Sequence, residues 1–274
     1  MKKKILSIFV HLELILVCMI VLAPLTLVVL SSFSAETSLT ASSLIPTEFT
    51  LDNYRRLFEE TKYVTWFKNT LVIAVSSTVV SVFVILITAW IMSRFNFKGK
   101  KTSLITMMLL SMFPTFLSMT AIYTLFSLVG LVGSPISMII IYVAGAIPYN
   151  TWLVKGYLDG IDKSLDEAAY IDGATRFQSF YKIVLPLATP IITYCAVSQF
   201  IMPWMDYILP SMLLSRDSQK TLAVGLFELI AQSNEVESTL FAAGAVLIAV
   251  PITILFLIFQ RFLAQGVASG ASKG

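Results

Sequence analysis

The sequence predicts an all-α integral membrane protein with six transmembrane helices. Three observations carry that expectation: a 57% hydrophobic against 13% charged composition, six apolar runs of bilayer-crossing length, and a lopsided sharing of Lys and Arg among the connections. A soluble domain carries about 25% charged residues. With a mean hydropathy of +0.85, this chain has more apolar surface than a water-soluble core can hide, so lipid is the expected solvent. The net charge of +3 is too small to point to nucleic acid.

The six runs are Leu14–Leu30 (with a start as early as Ile5), Leu71–Met92, Leu104–Leu128, Ile136–Val154, Ile183–Tyr207 and Leu240–Gln260. A span needs about 20 residues at about 1.5 Å each. Lipid offers no hydrogen bonds, so each segment closes its own as a helix. The alternating pattern of a membrane β-barrel is absent. Lys2, Lys3 and Lys4 before the first run resemble a secretory signal, but the run exceeds a signal core of about 7–15 residues and reads as a retained span. His11 and Glu13 near its start reach the headgroup region, and the interfacial reading outweighs a proton relay. A single His gives metal chemistry no support. Cys18 and Cys195 fall inside spans without CxxC spacing and read as small packing residues.

Pro114, Pro148, Pro190 and Pro203 lie within the third, fourth and fifth runs, as kinks or as static packing features. Asp206 tests for a buried transport charge, since a carboxylate at mid-membrane costs about 2.5–3.5 kcal/mol and is usually functional. It follows Ile183 by 23 residues, roughly 35 Å of helix, which carries it to the outer interface. A structural or gate-lining role is favoured over ion coupling.

Orientation follows from the basic residues. With the N-terminus inside, thirteen Lys and Arg lie on inner segments: Lys2, Lys3, Lys4, Arg94, Lys98, Lys100, Lys101, Lys155, Lys163, Arg176, Lys182, Arg261 and Lys273. The outer segments hold six: Arg55, Arg56, Lys62, Lys68, Arg216 and Lys220. Both termini and the connection between the fourth and fifth spans are therefore expected in the cytoplasm.

That connection holds the most specific pattern in the chain. Glu167-Ala168-Ala169 is followed after three residues by Gly173, and after nine more by Ile183, Leu185 and Pro186. Ser164-x-x-Glu167 matches a capping box at a helix start. Asp172-Gly173 supplies a stop, because Gly accepts the left-handed conformation that ends many helices. Thr175-x-x-Gln178 is a second capping box, opening a helix into the fifth span. Helix, tight turn, helix is the local expectation, and a short surface helix with small alanines suits docking into a groove. Glu167 is either a cap or a carboxylate offered to a basic partner residue.

The E-A-A, G, I-x-L-P spacing resembles the signature loop of ABC importer permeases. The wider likeness is to the carbohydrate family of maltose/maltodextrin, MalG type. It takes in Asp52-Asn53-Tyr54, Asn69-Thr70, Pro148, Ser164 to Ala174, and the ending Gln260-Arg261-Phe262 with Gly266, Gly270 and Lys273-Gly274. Trp204-Met205-Asp206-Tyr207 departs from the family, with Met205 where Asn is usual. The resemblance implies a single permease domain over residues 1–274, with a cytoplasmic EAA coupling loop at 155–182 and a cytoplasmic tail at 261–274. It places the chain in a prokaryotic plasma (inner) membrane. Glu167, Ala168, Ala169, Asp172, Gly173, Ile183, Leu185 and Pro186 become the ATPase-coupling residues.

The same resemblance implies the partners: a second, MalF-like permease, an ABC ATPase dimer and an external sugar-binding protein. ATP and magnesium would be used by the ATPase, with no cofactor and no catalytic group in this chain. The connection from Arg216 to Thr239 would contact the binding protein, or else lie on the membrane as a partly helical surface loop, and the tail would insert between the ATPases. Maltodextrin is the expected cargo, with another oligosaccharide or glycerol phosphate as alternatives. An ATP-independent secondary transporter would call for mid-membrane ionisable residues or inverted repeats, and a membrane enzyme for a cluster of reactive side chains. The sequence has neither, and no phosphate-cradling G-x-x-x-x-G-K-[ST] loop.

Overall fold

The computed structural model describes residues 2–36, 45–231 and 237–271, and helices dominate it. In chain order they are α1 (Lys2–Ser32), α2 (Asp52–Glu59), α3 (Tyr63–Arg94), α4 (Lys100–Ser111), α5 (Thr115–Leu128), α6 (Pro135–Asp159), α7 (Ser164–Ile171) and α8 (Arg176–Ser179). A π-helical stretch, Phe180–Val184, leads into α9 (Leu185–Leu187), α10 (Thr189–Met205), α11 (Ile208–Leu213), α12 (Leu222–Ala231) and α13 (Ser238–Ala271). The chain is an all-α membrane protein. Four helices, α1, α3, α6 and α13, are long and apolar enough to cross a membrane, and six spans result if each of two bent pairs counts as one.

Of the four prolines named as kinks or static packing features, two coincide with bends in the third and fifth runs. Helices α4 and α5 meet at 101°, and the Arg176–Leu187 segment meets α10 at 76°. Each break coincides with a proline that hydropathy alone does not weigh. Pro114 is the N-cap of α5 in extended conformation, and Pro190 occupies the first turn of α10 beside the break at Ala188. Proline lacks the amide that would continue the preceding helix. Pro148 and Pro203 instead stay inside α6 and α10. The unbroken helices outrun their apolar runs because hydrogen bonding continues past the hydrocarbon. Ser134, for example, caps α6 through the Ile136 amide with Pro135 in the first turn, the position where a missing N–H costs least.

The chain divides into two compact units, Met1–Val64 with Val224–Pro251, and Thr65–Ala223 with Ile252–Gly274. In the first, Asn53 is the fastening point. Its buried amide donates to the carbonyls of Ser32 (3.1 Å) and Ser34 (2.7 Å), and its oxygen accepts from Thr239 (3.5 Å). Tyr54 reaches Ser32 at 2.8 Å, and Arg56 forks onto Glu237 at 2.9 and 3.2 Å. Gly244 lets α12 sit close against α13, since a Cβ there would lie 2.3 Å from Leu226 Cδ2. Apolar contact gives little net drive between helices in lipid, so such polar ties and small residues matter more than in water. Asn53→Ala strands two carbonyls and should cost about 1–3 kcal/mol. A lowered thermal midpoint in detergent checks this, and an unchanged midpoint would remove Asn53 from the account.

In the second unit, Asn69 and Thr70 hold the connection ahead of α12. Asn69 donates to the carbonyls of Ser218 and Lys220, both at 3.0 Å, and Thr70 accepts from the Leu222 amide at 2.8 Å. These bonds lead into the apolar stretch Thr221–Ile230. It starts buried and is mostly helical, with Leu222, Val224 and Leu226 at most 2% exposed. Residues 232–236 of that connection and 272–274 of the tail fall outside the described residues. Asp206 ends α10, accepts from the Tyr142 hydroxyl at 2.9 Å and from the Leu209 amide at 3.4 Å, and so starts α11. A core cluster of Ile85, Ala89, Val154, Leu158, Phe180, Val184, Ala188 and Cys195 underlies the segment described next.

Candidate functional site

The segment between α6 and α10 is built by local rules that can be followed residue by residue. Asp162 starts it: its carboxylate accepts from the Ser164 amide at 2.9 Å, and that bond holds its carboxyl below the usual aspartate value. Helix α7 then begins with Lys163 at the N-cap and no side-chain cap bond. The expected Ser164–Glu167 box does not form. The Asp162 carboxylate takes the Ser164 amide that the Glu167 carboxylate would have accepted, and the Glu167 amide donates to the Lys163 carbonyl at 3.0 Å instead of to the Ser164 hydroxyl.

The stop is as expected. Gly173 has φ +84°, its amide meets the Tyr170 carbonyl at 3.1 Å, and the Ala174 amide meets that of Ala169 at 2.9 Å. This crossed pair of bonds is the Schellman ending, which needs a left-handed residue at this position. The second box forms as well: the Gln178 amide donates to Thr175 Oγ1 at 3.2 Å, and the Thr175 amide to Gln178 Oε1 at 2.7 Å. Beyond it, Phe180 stacks on Trp90 at 4.6 Å and Arg176 lies over the Phe95 ring at 5.0 Å. These contacts seat α8 and the π-helical stretch against the end of α3.

The signature residues divide by environment. Ala169 is buried, while Glu167, Ala168, Asp172 and Gly173 are exposed. Ile183 and Leu185 are half-buried and Pro186 is exposed, with Leu185 packed on the core cluster. The structure brings Glu167 to Gly173 together on one helix-and-turn, and gives Ile183, Leu185 and Pro186 to the stem behind it. With the capping box absent, the Glu167 carboxylate has no hydrogen bond or ion pair among the described residues. The same segment exposes large apolar side chains: Ile171 is 87% exposed and Phe177 63%, with Leu165 also open.

Sequence reasoning missed the residue that anchors this surface. Arg94, the last residue of α3, places Nε 2.7 Å from Asp166 Oδ2, an ion pair rather than an aligned hydrogen bond. Its Nη1 and Nη2 donate to the carbonyls of Leu158 (3.0 Å) and Ile161 (3.1 Å). Asp166 also accepts from the Ser179 hydroxyl. The available signal was an aspartate directly before E-A-A and an arginine closing an apolar run; Arg94 entered only as one of the inner charges. No group of three or more His, Cys, Asp or Glu among the described residues could hold a metal.

These features define a multi-pass helical membrane protein with an exposed helix-and-turn between α6 and α10. Residues 81–269 match the family described as "Binding-protein-dependent transport system inner membrane component", and the chain belongs to that family. It is 39% identical to the maltodextrin transport system permease protein MdxG of Bacillus subtilis, over 96% of this chain and 95% of that one. The galactooligosaccharides transport system permease protein GanQ of Bacillus subtilis is 37% identical over 97% and 95%. The maltose/maltodextrin permease MalG of Vibrio parahaemolyticus is 35% identical over 93% and 92%. The fold is also that of a solved bacterial ABC transporter involved in alginate import, with TM-score 0.78 at 22% identity over 94% of this chain and 96% of that one.

Proposed function

We propose that this chain is a permease subunit of a carbohydrate ABC importer, forming half of a translocation path powered by a separate ATPase. The observation that carries the reading is the 164–173 helix-and-turn, which offers an unpartnered Glu167 and exposed Ile171 from a buried ionic anchor. On this reading each bent helix pair is one span and both termini and residues 155–182 are cytoplasmic, as the basic residues favour. The loop docks on the ATPase, and Ala168 permits close backbone approach. A second permease and an external sugar-binding protein complete the assembly. The tail at 261–274 reaches between the ATPases. ATP binding closes the ATPase pair, and differential affinity for two global states turns the path from one side to the other.

Maltodextrin is the proposed cargo, supported by the MdxG and MalG relatives; the GanQ relative makes galactooligosaccharides the second candidate. Competition of labelled maltotriose uptake by other oligosaccharides decides between them. The subunit assignment is tested by co-purification with an ATPase whose hydrolysis requires binding protein plus sugar. Uptake by vesicles without ATP would overturn it in favour of a secondary transporter. Glu167→Lys should weaken ATPase association by about 2 kcal/mol, roughly thirtyfold. Its fold should survive, because an exposed substitution changes stability by only about 0.5 kcal/mol. Unchanged pull-down and unchanged uptake would exclude Glu167 from the interface.

A further inference from the structure

We infer that Arg94 is a positioning residue that transmits displacement of the docking loop to the membrane helices. The inference rests on the docking reading above. One planar cation is shared by three elements: α3, which carries it; the end of α6, through the Leu158 and Ile161 carbonyls; and α7, through Asp166. Asp166 extends the tie to α8 through the Ser179 hydroxyl.

The site lies where two helix ends meet, and each end favours the charge it faces. Leu158 belongs to the last turn of α6, where a cation is stabilised and unpaired carbonyls need donors. Asp166 belongs to the first turn of α7, where an anion is stabilised. The Arg94 and Asp166 side chains are 6% and 7% exposed, so water neither screens the pair nor replaces a lost partner. Apolar contacts between α7 and the bundle would resist separation but tolerate sliding. A rigid guanidinium fork with acceptors in several directions resists sliding and tilting as well. Lysine keeps the charge and loses that fork.

The test uses the assembled importer, with its ATPase, second permease and binding protein, in proteoliposomes supplied with labelled maltotriose. R94Q and D166N are expected to assemble and to retain ATP hydrolysis, while sugar imported per ATP falls about tenfold. R94K is expected between these variants and the unaltered chain. The double variant R94Q/D166N removes the stranded charge, so it should regain thermal stability yet remain uncoupled. Recovery of coupling together with stability would reduce the pair to a structural brace and overturn the inference. So would hydrolysis and import falling in step, no change in either, or failure of all four variants to assemble. Failure of the unaltered chain to bind an ATPase would instead strike the docking reading itself.

Discussion

Gly173→Val is expected to abolish uptake while leaving the membrane helices in place. The residue sits at φ +84° with open space where a Cβ would go, so the cost comes from the backbone rather than from a clash. A left-handed conformation costs an ordinary L-residue about 1–2 kcal/mol, and a β-branched one more. The chain relieves that strain by leaving the left-handed region, and then both crossed bonds, from the Gly173 and Ala174 amides, are lost. Helix α7 would keep its Arg94 anchor but leave at a different angle from α8. The series Gly, Asn, Ala, Val at this position should order uptake from highest to lowest, because Asn tolerates the left-handed region best among the replacements. Valine matching the unaltered chain would show that the turn does not set the docking geometry.

Trp204→Ala should produce the largest loss of stability in the second unit, about 3–5 kcal/mol. The ring is 1% exposed and stands edge-on to Phe67 at 5.2 Å, with Phe200 at 5.8 Å. It therefore joins α10 to the start of α3 through aromatic packing that a methyl group cannot replace. Its indole nitrogen is buried without a hydrogen-bond partner among the described residues. Trp204→Phe consequently gives up no polar contact and should keep more than half of the stability. Chemical denaturation in mixed micelles gives both values. Equal midpoints for the alanine variant and the unaltered chain would mean that the cavity closes without cost.

What the sequence made legible follows from which forces act locally. Spans were readable because bilayer thickness acts on every residue of a run, and α3 and α6 appear where their apolar residues cluster. The Thr175–Gln178 box and the Gly173 stop were readable because their partners lie within a few positions of one another. The Ser164–Glu167 box was misjudged for a local reason: the helix starts one residue earlier, with the Glu167 amide on the Lys163 carbonyl, and Asp162, two positions upstream, takes the Ser164 amide that Glu167 would have held. The bends at Ala188 and before α5 were only half visible, since four prolines were candidates and packing chose two. Arg94 with Asp166, and Asn53 with Thr239, were hidden. Pairs separated by 72 and 186 positions leave no periodic trace, and only the folded chain brings them together. Of the eight signature residues, the sequence marked the positions but did not sort them into those that face out and those that serve the stem.

That sorting has a consequence for how such transporters diversify. Helix α7 spans eight residues, and those fixing its seat, Asp166 and Ala169, are different from those on view, Leu165, Glu167 and Ile171. Selection can therefore rewrite the visible set without disturbing the hidden one. If the docking proposed above holds, a permease of this design is re-harnessed to a different engine by changing a few outward side chains while its passage for cargo stays as it was.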